Sequence, residues 1–305
     1  MDVELLSADR LRFDDGTPVR AASAVAALGD GHLVVSDDAT HAAWFRRGTA
    51  TSVRLLPPVA GHELFDEASG TKHLKPDLET ACRVEVDGSP ALLVMGSGSS
   101  PARMRWCLVR LEDDRPASVV ADMADTYASV AAALDVHADV LNLEGACLVD
   151  GTLRWFHRGL PSAGLPSASV DLDLAAALSV LLGRSGAADL TPTRPVHYDL
   201  GTAEGVGLAV TDVVALPGGD LLASAAAEDS PNVRDDGPVV ASALARIRGD
   251  RVVDVVPLPE LDGSVIKVEG LMVLDADEEQ ATLLAVTDVD DPDAASWEAR
   301  LRVRL

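Results

Sequence analysis

One short pattern recurs along this chain and sets what it can fold into. Lys267-Val268-Glu269-Gly270-Leu271 lies in an apolar run, and Asn142-Leu143-Glu144-Gly145-Ala146 and Asp77-Leu78-Glu79-Thr80-Ala81 repeat it. Each copy has a polar residue two positions before a Glu and a small residue after it. A strand repeats every two residues, so the polar residue and the Glu share a face. Aligning the first turn of each unit puts Ser23 and Thr211 at the Glu position of two further copies. The positions Ser23, Glu79, Glu144, Thr211 and Glu269 recur roughly every 60 residues.

Each unit then reads as four short strands separated by turn residues such as Asp87-Gly88, Asp150-Gly151 and Pro217-Gly218-Gly219. A four-stranded meander is the repeating unit of a β-propeller. The chain is therefore predicted to be all-β, a single propeller domain of five four-stranded blades at about 22–57, 77–122, 142–200, 207–258 and 265–305. The last unit is one strand short, and residues 3–13 supply the missing strand and close the ring. A sixth blade is the alternative, if residues 58–76 or 123–141 conceal more sheet. Tyr127–His137 and Leu174–Leu182 read as short helices between strands.

The formal net charge of -24 disfavours nucleic acid and anionic membranes as partners. Lysine occurs only at 72, 75 and 267, and the Ala, Asp and Val bias points to a bacterial, GC-rich source. The Met1 start shows no basic and apolar leader, and no apolar run reaches the length of a membrane span. Cys82, Cys107 and Cys147 lie in apolar runs and read as buried reduced thiols, so the expected location is cytoplasmic.

Inner strands of a propeller line its central channel, so Glu79, Glu144 and Glu269 are expected to meet there. Asp77, Asn142 and Lys267 lie nearer the mouth, with Lys75 close by. Two carboxylates about 4 Å apart repel by about 4 kcal/mol at an effective dielectric near 20. Three compensations compete. Lys75 and Lys267 pair with Glu79 and Glu269 in a structural ring. A hard cation sits among Glu79, Glu144 and Glu269, calcium fitting best because every side chain offered supplies oxygen. Or the acids bind a cationic or polyhydroxylated ligand directly. The loops between second and third strands converge above: Ser36 to Asp38, Gly96 to Ser100, His157 to Gly159, Glu228 to Ser230 and Asp288 to Asp291. From them Ser97, Ser99, Arg103, Glu228 and Asp288 are expected to bind a small molecule at the mouth, with Lys75. His157 is the candidate general base, beside Arg158 and Lys267 as charge stabilisers. The 96–100 run lacks the ending of a phosphate loop and the turn of a nucleophile elbow. The acidic run 288–293 matches a calcium loop in composition and not in spacing, and reads as a solvated loop.

The three Glu-bearing segments, the Gly96-Ser97-Gly98-Ser99-Ser100 run before Arg103, and Trp155-Phe156-His157-Arg158-Gly159 together resemble phytase-like or esterase-like bacterial β-propellers. That resemblance implies a Glu-bearing channel and a hydrolase-like activity. Characterised phytase propellers have six blades and bind several calcium ions near their phosphate site. The expectation is then a metal-assisted hydrolase of an ester or phosphoester. The alternative is a non-catalytic propeller binding a small ligand or a protein on its loop face.

Overall fold

The computed structural model describes residues 1–230, 237–289 and 294–305. Five antiparallel sheets form a five-bladed propeller. Blades I to V begin with the inner strands Ala22–Leu28, Leu78–Val86, Leu143–Val149, Val206–Ala215 and Lys267–Ala276. These strands touch one another in cyclic order, the fifth returning to the first. Closure comes from Asp2–Arg10, which pairs antiparallel with Trp297–Arg304 as the outer strand of blade V. Residues 58–76 hold a single 3-10 turn, Lys72–Leu74, and no blade. Blade IV carries one extra short strand, Thr202–Ala203.

Sequence dictates the hairpins locally. Asp87-Gly88 and Asp150-Gly151 all take positive φ, the conformation of the two-residue turn that matches strand twist. The two helices run Ala124–Leu134 and Leu174–Leu181, the first starting three residues before the expected Tyr127. Both cover the gap between blades II and III, where the largest apolar cluster lies. There Trp155 meets Trp106 and Tyr127 edge-on at 5.3 and 5.0 Å. Four further apolar clusters fill the remaining blade-to-blade gaps, so the core is a ring of interfaces around the channel. Cys82, Cys107 and Cys147 are free and buried within it, and burial pushes the Cys82 and Cys107 thiols up to about 12. Among the described residues no helix is long and apolar enough to cross a membrane.

The inner strands share one irregularity. Pairing with the second strand shifts register between Ala22 and Ala24, Leu78 and Thr80, Leu143 and Ala146, Val210 and Asp212, and Val268 and Gly270. The residue skipped is Ser23, Glu79, Thr211 or Glu269 in four blades, and Glu144 with Gly145 in blade III, so the aligned position is out of the ladder in every unit. A bulge frees a residue from the ladder and re-aims its side chain. The following residue then packs on the next inner strand. A Cβ on Gly145 would come within 2.7 Å of Asp212 Cα, and one on Gly270 within 2.8 Å of Ala24 Cα. Only glycine permits that approach.

Candidate functional site

The two blades without an acid use their bulge position as a staple. Ser23 Oγ donates to Leu78 O at 2.5 Å, and Thr211 Oγ1 donates to Val268 O at 2.5 Å. Each ties its own inner strand to the next blade. The three acids lie instead in two groups of charged side chains.

The first group spans blades I and II. Asp77, in the left-handed region at φ 53, caps the entry to the second inner strand. It pairs with Lys75 at 3.1 Å and Arg103 at 2.8 Å and accepts from the Ser97 hydroxyl. Ser99 Oγ accepts from Arg103 at 2.9 Å and contacts Ser97 Oγ at 2.9 Å. Lys75 also grips Asp37. Despite burial, Lys75 and Arg103 hold the Asp77 carboxyl below its usual range. Glu79 stands beside them, half-buried, with no hydrogen bond or ion pair to any described residue. Burial, then Asp77 and Asp37, push its carboxyl well above the usual range. Asp38 is held up to about 6 by burial and by Asp37.

The second group spans blades III, IV and V and is buried. Glu144 Oε1 accepts from Asn142 Nδ2 at 2.9 Å and Arg158 at 3.2 Å. Arg158 continues to Glu228 at 2.6 Å. Lys267 bridges Glu228 at 3.0 Å and Glu269 at 2.8 Å. Glu228 also accepts from Ser230 Oγ at 2.5 Å and Gly237 N at 2.9 Å. Burial opposes its ionisation, but Arg158 and Lys267 win and hold it well below its usual range. Glu144 goes the other way. Burial raises its carboxyl to about 8, Arg158 opposing and Glu269 adding to the rise. Its Oε2 is buried with no hydrogen-bond partner. Burial likewise raises Glu269 against the pull of Lys267 and Arg158.

Charge bookkeeping makes the two groups alike. Counting Asp37, Asp77 and Glu79 in the first and Glu144, Glu228 and Glu269 in the second, each holds three carboxyls against two cations, so one carboxyl in each has no cation to match it. The unpartnered oxygens are on Glu79 and Glu144, in adjacent blades, and each of these carboxyls is raised. At neutral pH such a pair keeps at least one proton.

Several sequence-based expectations need correcting. Glu79, Glu144 and Glu269 do not converge on one ion-sized point. Among the described residues, the group whose ligand oxygens lie within 4.8 Å of one another is Asp37, Asp77 and Glu79, a set that offers a metal ion three carboxylates. Lys75 pairs with Asp37 and Asp77 rather than Glu79, whereas Lys267 does pair with Glu269. His157 does not join the ring. It is 1% exposed, its Nδ1 lies 2.9 Å from Asn142 O and 3.2 Å from Asn142 N, and burial lowers its pKa to about 4. Adjacent strand residues face opposite ways, so Arg158 reaches the acids and His157 turns into the II–III interface. Asp288 lies opposite Lys267 in the blade V ladder. Asp290, Asp291 and Asp293, part of the expected acidic loop, lie outside the described residues.

One acid was missed. Asp212 is 4% exposed beneath the ring, and burial raises its carboxyl well above the usual range although the amides of Leu271 and Val213 oppose this. Leu271 N donates to Asp212 Oδ2 at 2.6 Å. The signal was available: Asp212 follows the bulge position, where Ala24, Thr80, Gly145 and Gly270 are all small or uncharged.

The match to one protein family covers residues 71–292, which hold blades II to IV and the two inner strands of blade V. The chain belongs to the family of unknown function DUF6910. No curated protein matches it in sequence. Among solved structures, this DUF6910 member is similar to the glutaminyl cyclase of Myxococcus xanthus. The TM-score is 0.50 at 9% identity, over 99% of this chain and 97% of that one. An endo-arabinanase from Bacillus licheniformis aligns with a TM-score of 0.47 at 10% identity, over 96% of this chain and 95% of that one. At these identities the likeness speaks for fold alone.

Proposed function

We propose that the channel mouth is an acid–base site that hydrolyses an uncharged or cationic ester. The observation that carries this is the unsatisfied pair: Glu79, half-buried with no hydrogen bond or ion pair to any described residue, near Glu144, whose Oε2 is buried and unpaired and whose carboxyl is held protonated to about pH 8. Two neighbouring carboxyls of unequal environment divide the acid and base roles between them. Water attacks the ester carbonyl carbon while Glu79, in the molecules where it is ionised, takes its proton. Arg103 and Arg158, half-buried at the mouth, stabilise the oxyanion. Glu144 passes its Oε2 proton to the departing alkoxide oxygen, and the C–O bond breaks to give acid and alcohol. The proton on Glu79 then restores Glu144.

The phosphoester branch of the original expectation loses support from the same bookkeeping. Lys75, Arg103, Arg158 and Lys267 are each already matched to a carboxylate, so a phosphate would have to displace one of those pairs. Calcium is also a poor fit. Lys75 and Arg103 already neutralise Asp77, and Lys75 stands on Asp37, so an ion needing 6–8 oxygens would displace a lysine from its pairs.

The test is an ester and lactone panel with wild type, Glu79→Gln and Glu144→Gln. Each substitution is expected to lower kcat/KM by about 100-fold or more while circular dichroism and melting stay native. The wild-type profile should fall as pH rises past about 8, where Glu144 loses its proton. No turnover on any ester, or turnover untouched by both variants, would leave the non-catalytic ligand-binding propeller as the better reading.

A further inference from the structure

The polar residue two positions before each acid differs from blade to blade, and so does what it gives. In blade V it is Lys267, whose ammonium lies 2.8 Å from Glu269 Oε1. In blade II it is Asp77, whose carboxyl Lys75 and Arg103 hold ionised, so it has no proton to donate to Glu79. In blade III it is Asn142, a neutral amide, and Asn142 Nδ2 donates to Glu144 Oε1 at 2.9 Å.

Asn142 is buried and pinned through its backbone. Its carbonyl accepts from Arg158 N at 2.9 Å. Its N and O lie 3.2 and 2.9 Å from His157 Nδ1, so the ring that misses the acids holds the strand entry from behind. The next residue is fixed as well, Leu143 N donating to Ser97 O at 2.8 Å. On the other side Arg158 Nη1 donates to the same Glu144 oxygen, Oε1, at 3.2 Å. Neither the amide N–H nor the guanidinium N–H can accept a proton, so two donors facing Oε1 exclude one there. Turned over, the amide would set its own oxygen against Oε1 while Arg158 still donates to it, so the network selects the donating orientation. Glu144 Oε2 has no hydrogen-bond partner in the protein and is left as the hydroxyl oxygen.

We infer that Asn142 is a positioning residue: with Arg158 it claims Oε1 of Glu144 and so places the carboxyl proton on Oε2, and His157 keeps Asn142 in position to do so. The place of the proton stands on these contacts alone. Its catalytic meaning rests on the acid role proposed for Glu144. There Asn142 acts through Glu144, keeping the proton on one oxygen instead of letting two equivalent oxygens share it.

Infrared spectra of the full chain at neutral pH test this. The C=O stretch of a protonated carboxyl falls as its carbonyl oxygen gains hydrogen bonds, and the difference between wild type and Glu144→Gln isolates the Glu144 band. Asn142→Leu should move that band to higher wavenumber. If that variant melts early, Asn142→Ala removes the donor without adding bulk and should give the same shift. His157→Leu should shift the band too, and His157→Asn, which returns a polar atom near the Nδ1 position, should restore it. On any ester that the wild type turns over, Asn142→Leu should lower kcat about tenfold at unchanged KM, the worth of one hydrogen bond. A band that stays in place in both Asn142 variants would overturn the inference. So would a loss carried by KM alone. A shifted band in a chain that hydrolyses no ester would uphold the place of the proton and remove the ester reading.

Discussion

The two ion groups around the channel contain the same charges and treat them differently. In the blade I–II group the unmatched carboxyl, Glu79, is half-buried and makes no hydrogen bond or ion pair to any described residue. In the blade III–V group every acid is buried, and the unmatched oxygen is Glu144 Oε2. The first group can exchange its compensation with solvent or a ligand; the second has to build it from protein. Arg158 and Lys267 meet around Glu228, which takes both cations plus Ser230 Oγ and Gly237 N. Carboxylates so satisfied remain ionised in a buried place. What separates a structural acid from a reactive one here is the count of donors each oxygen receives, and not its distance from the axis.

The sharpest way to break this comparison is to remove one cation from each group. Lys267→Met should destabilise the chain by about 3–5 kcal/mol, because it strands the buried Glu269, although Glu228 keeps Arg158. Lys75→Met should cost about 1–2 kcal/mol, since Asp77 keeps Arg103 and Asp37 is half-exposed. Urea unfolding of both variants checks the order, and equal losses would show that the groups are energetically alike.

Next in size is the pH dependence. A carboxyl raised on folding stabilises below its unfolded value and loses that contribution as pH rises through its folded one. For Glu144 the window runs from the ordinary glutamate value of 4.5 to about 8. Glu144→Gln should therefore flatten the fall in stability across that window, with the variant above wild type near pH 8 by about 1 kcal/mol or more. Glu228 is lowered, so its contribution is present above the ordinary carboxylate range and lost on acidification. Glu228→Gln should be the less stable variant at neutral pH and converge on wild type in acid. Thermal melts at a series of pH values would read both slopes.

The smallest effect belongs to the blades that carry no acid. Thr211→Val removes the donor to Val268 O and should cost about 1 kcal/mol, with Ser23→Ala similar through Leu78 O. Neither should move the pH slopes. A changed slope in Thr211→Val would mean that the stapled blades tune the acids as well.

Much of this was legible in the chain because turns and bulges have local chemistry. The Glu positions could be aligned without knowing that each is a bulge, since the Glu-small-residue spacing survives it. The missing fourth strand of blade V was visible as a shortage, and residues 2–10 fill it. Side-chain direction at a strand end was not legible. His157 and Arg158 both looked like residues of the mouth, yet a period of two sends only one there. Which carboxylate Lys75 would choose was equally hidden, because Asp37 arrives from another blade's loop. Asp212 could have been found by asking why one unit alone follows its bulge with an acid.

That shared bulge has a further consequence. It detaches five side chains from the pairing rules that fix everything else in the sheets, so each blade has one address whose content can change without disturbing strand register. Serine and threonine at two addresses and glutamate at three are then settings of one dial. A family built on this scaffold can re-specify the character of its channel one letter at a time, while the glycines and small residues that follow the addresses keep the ring closed.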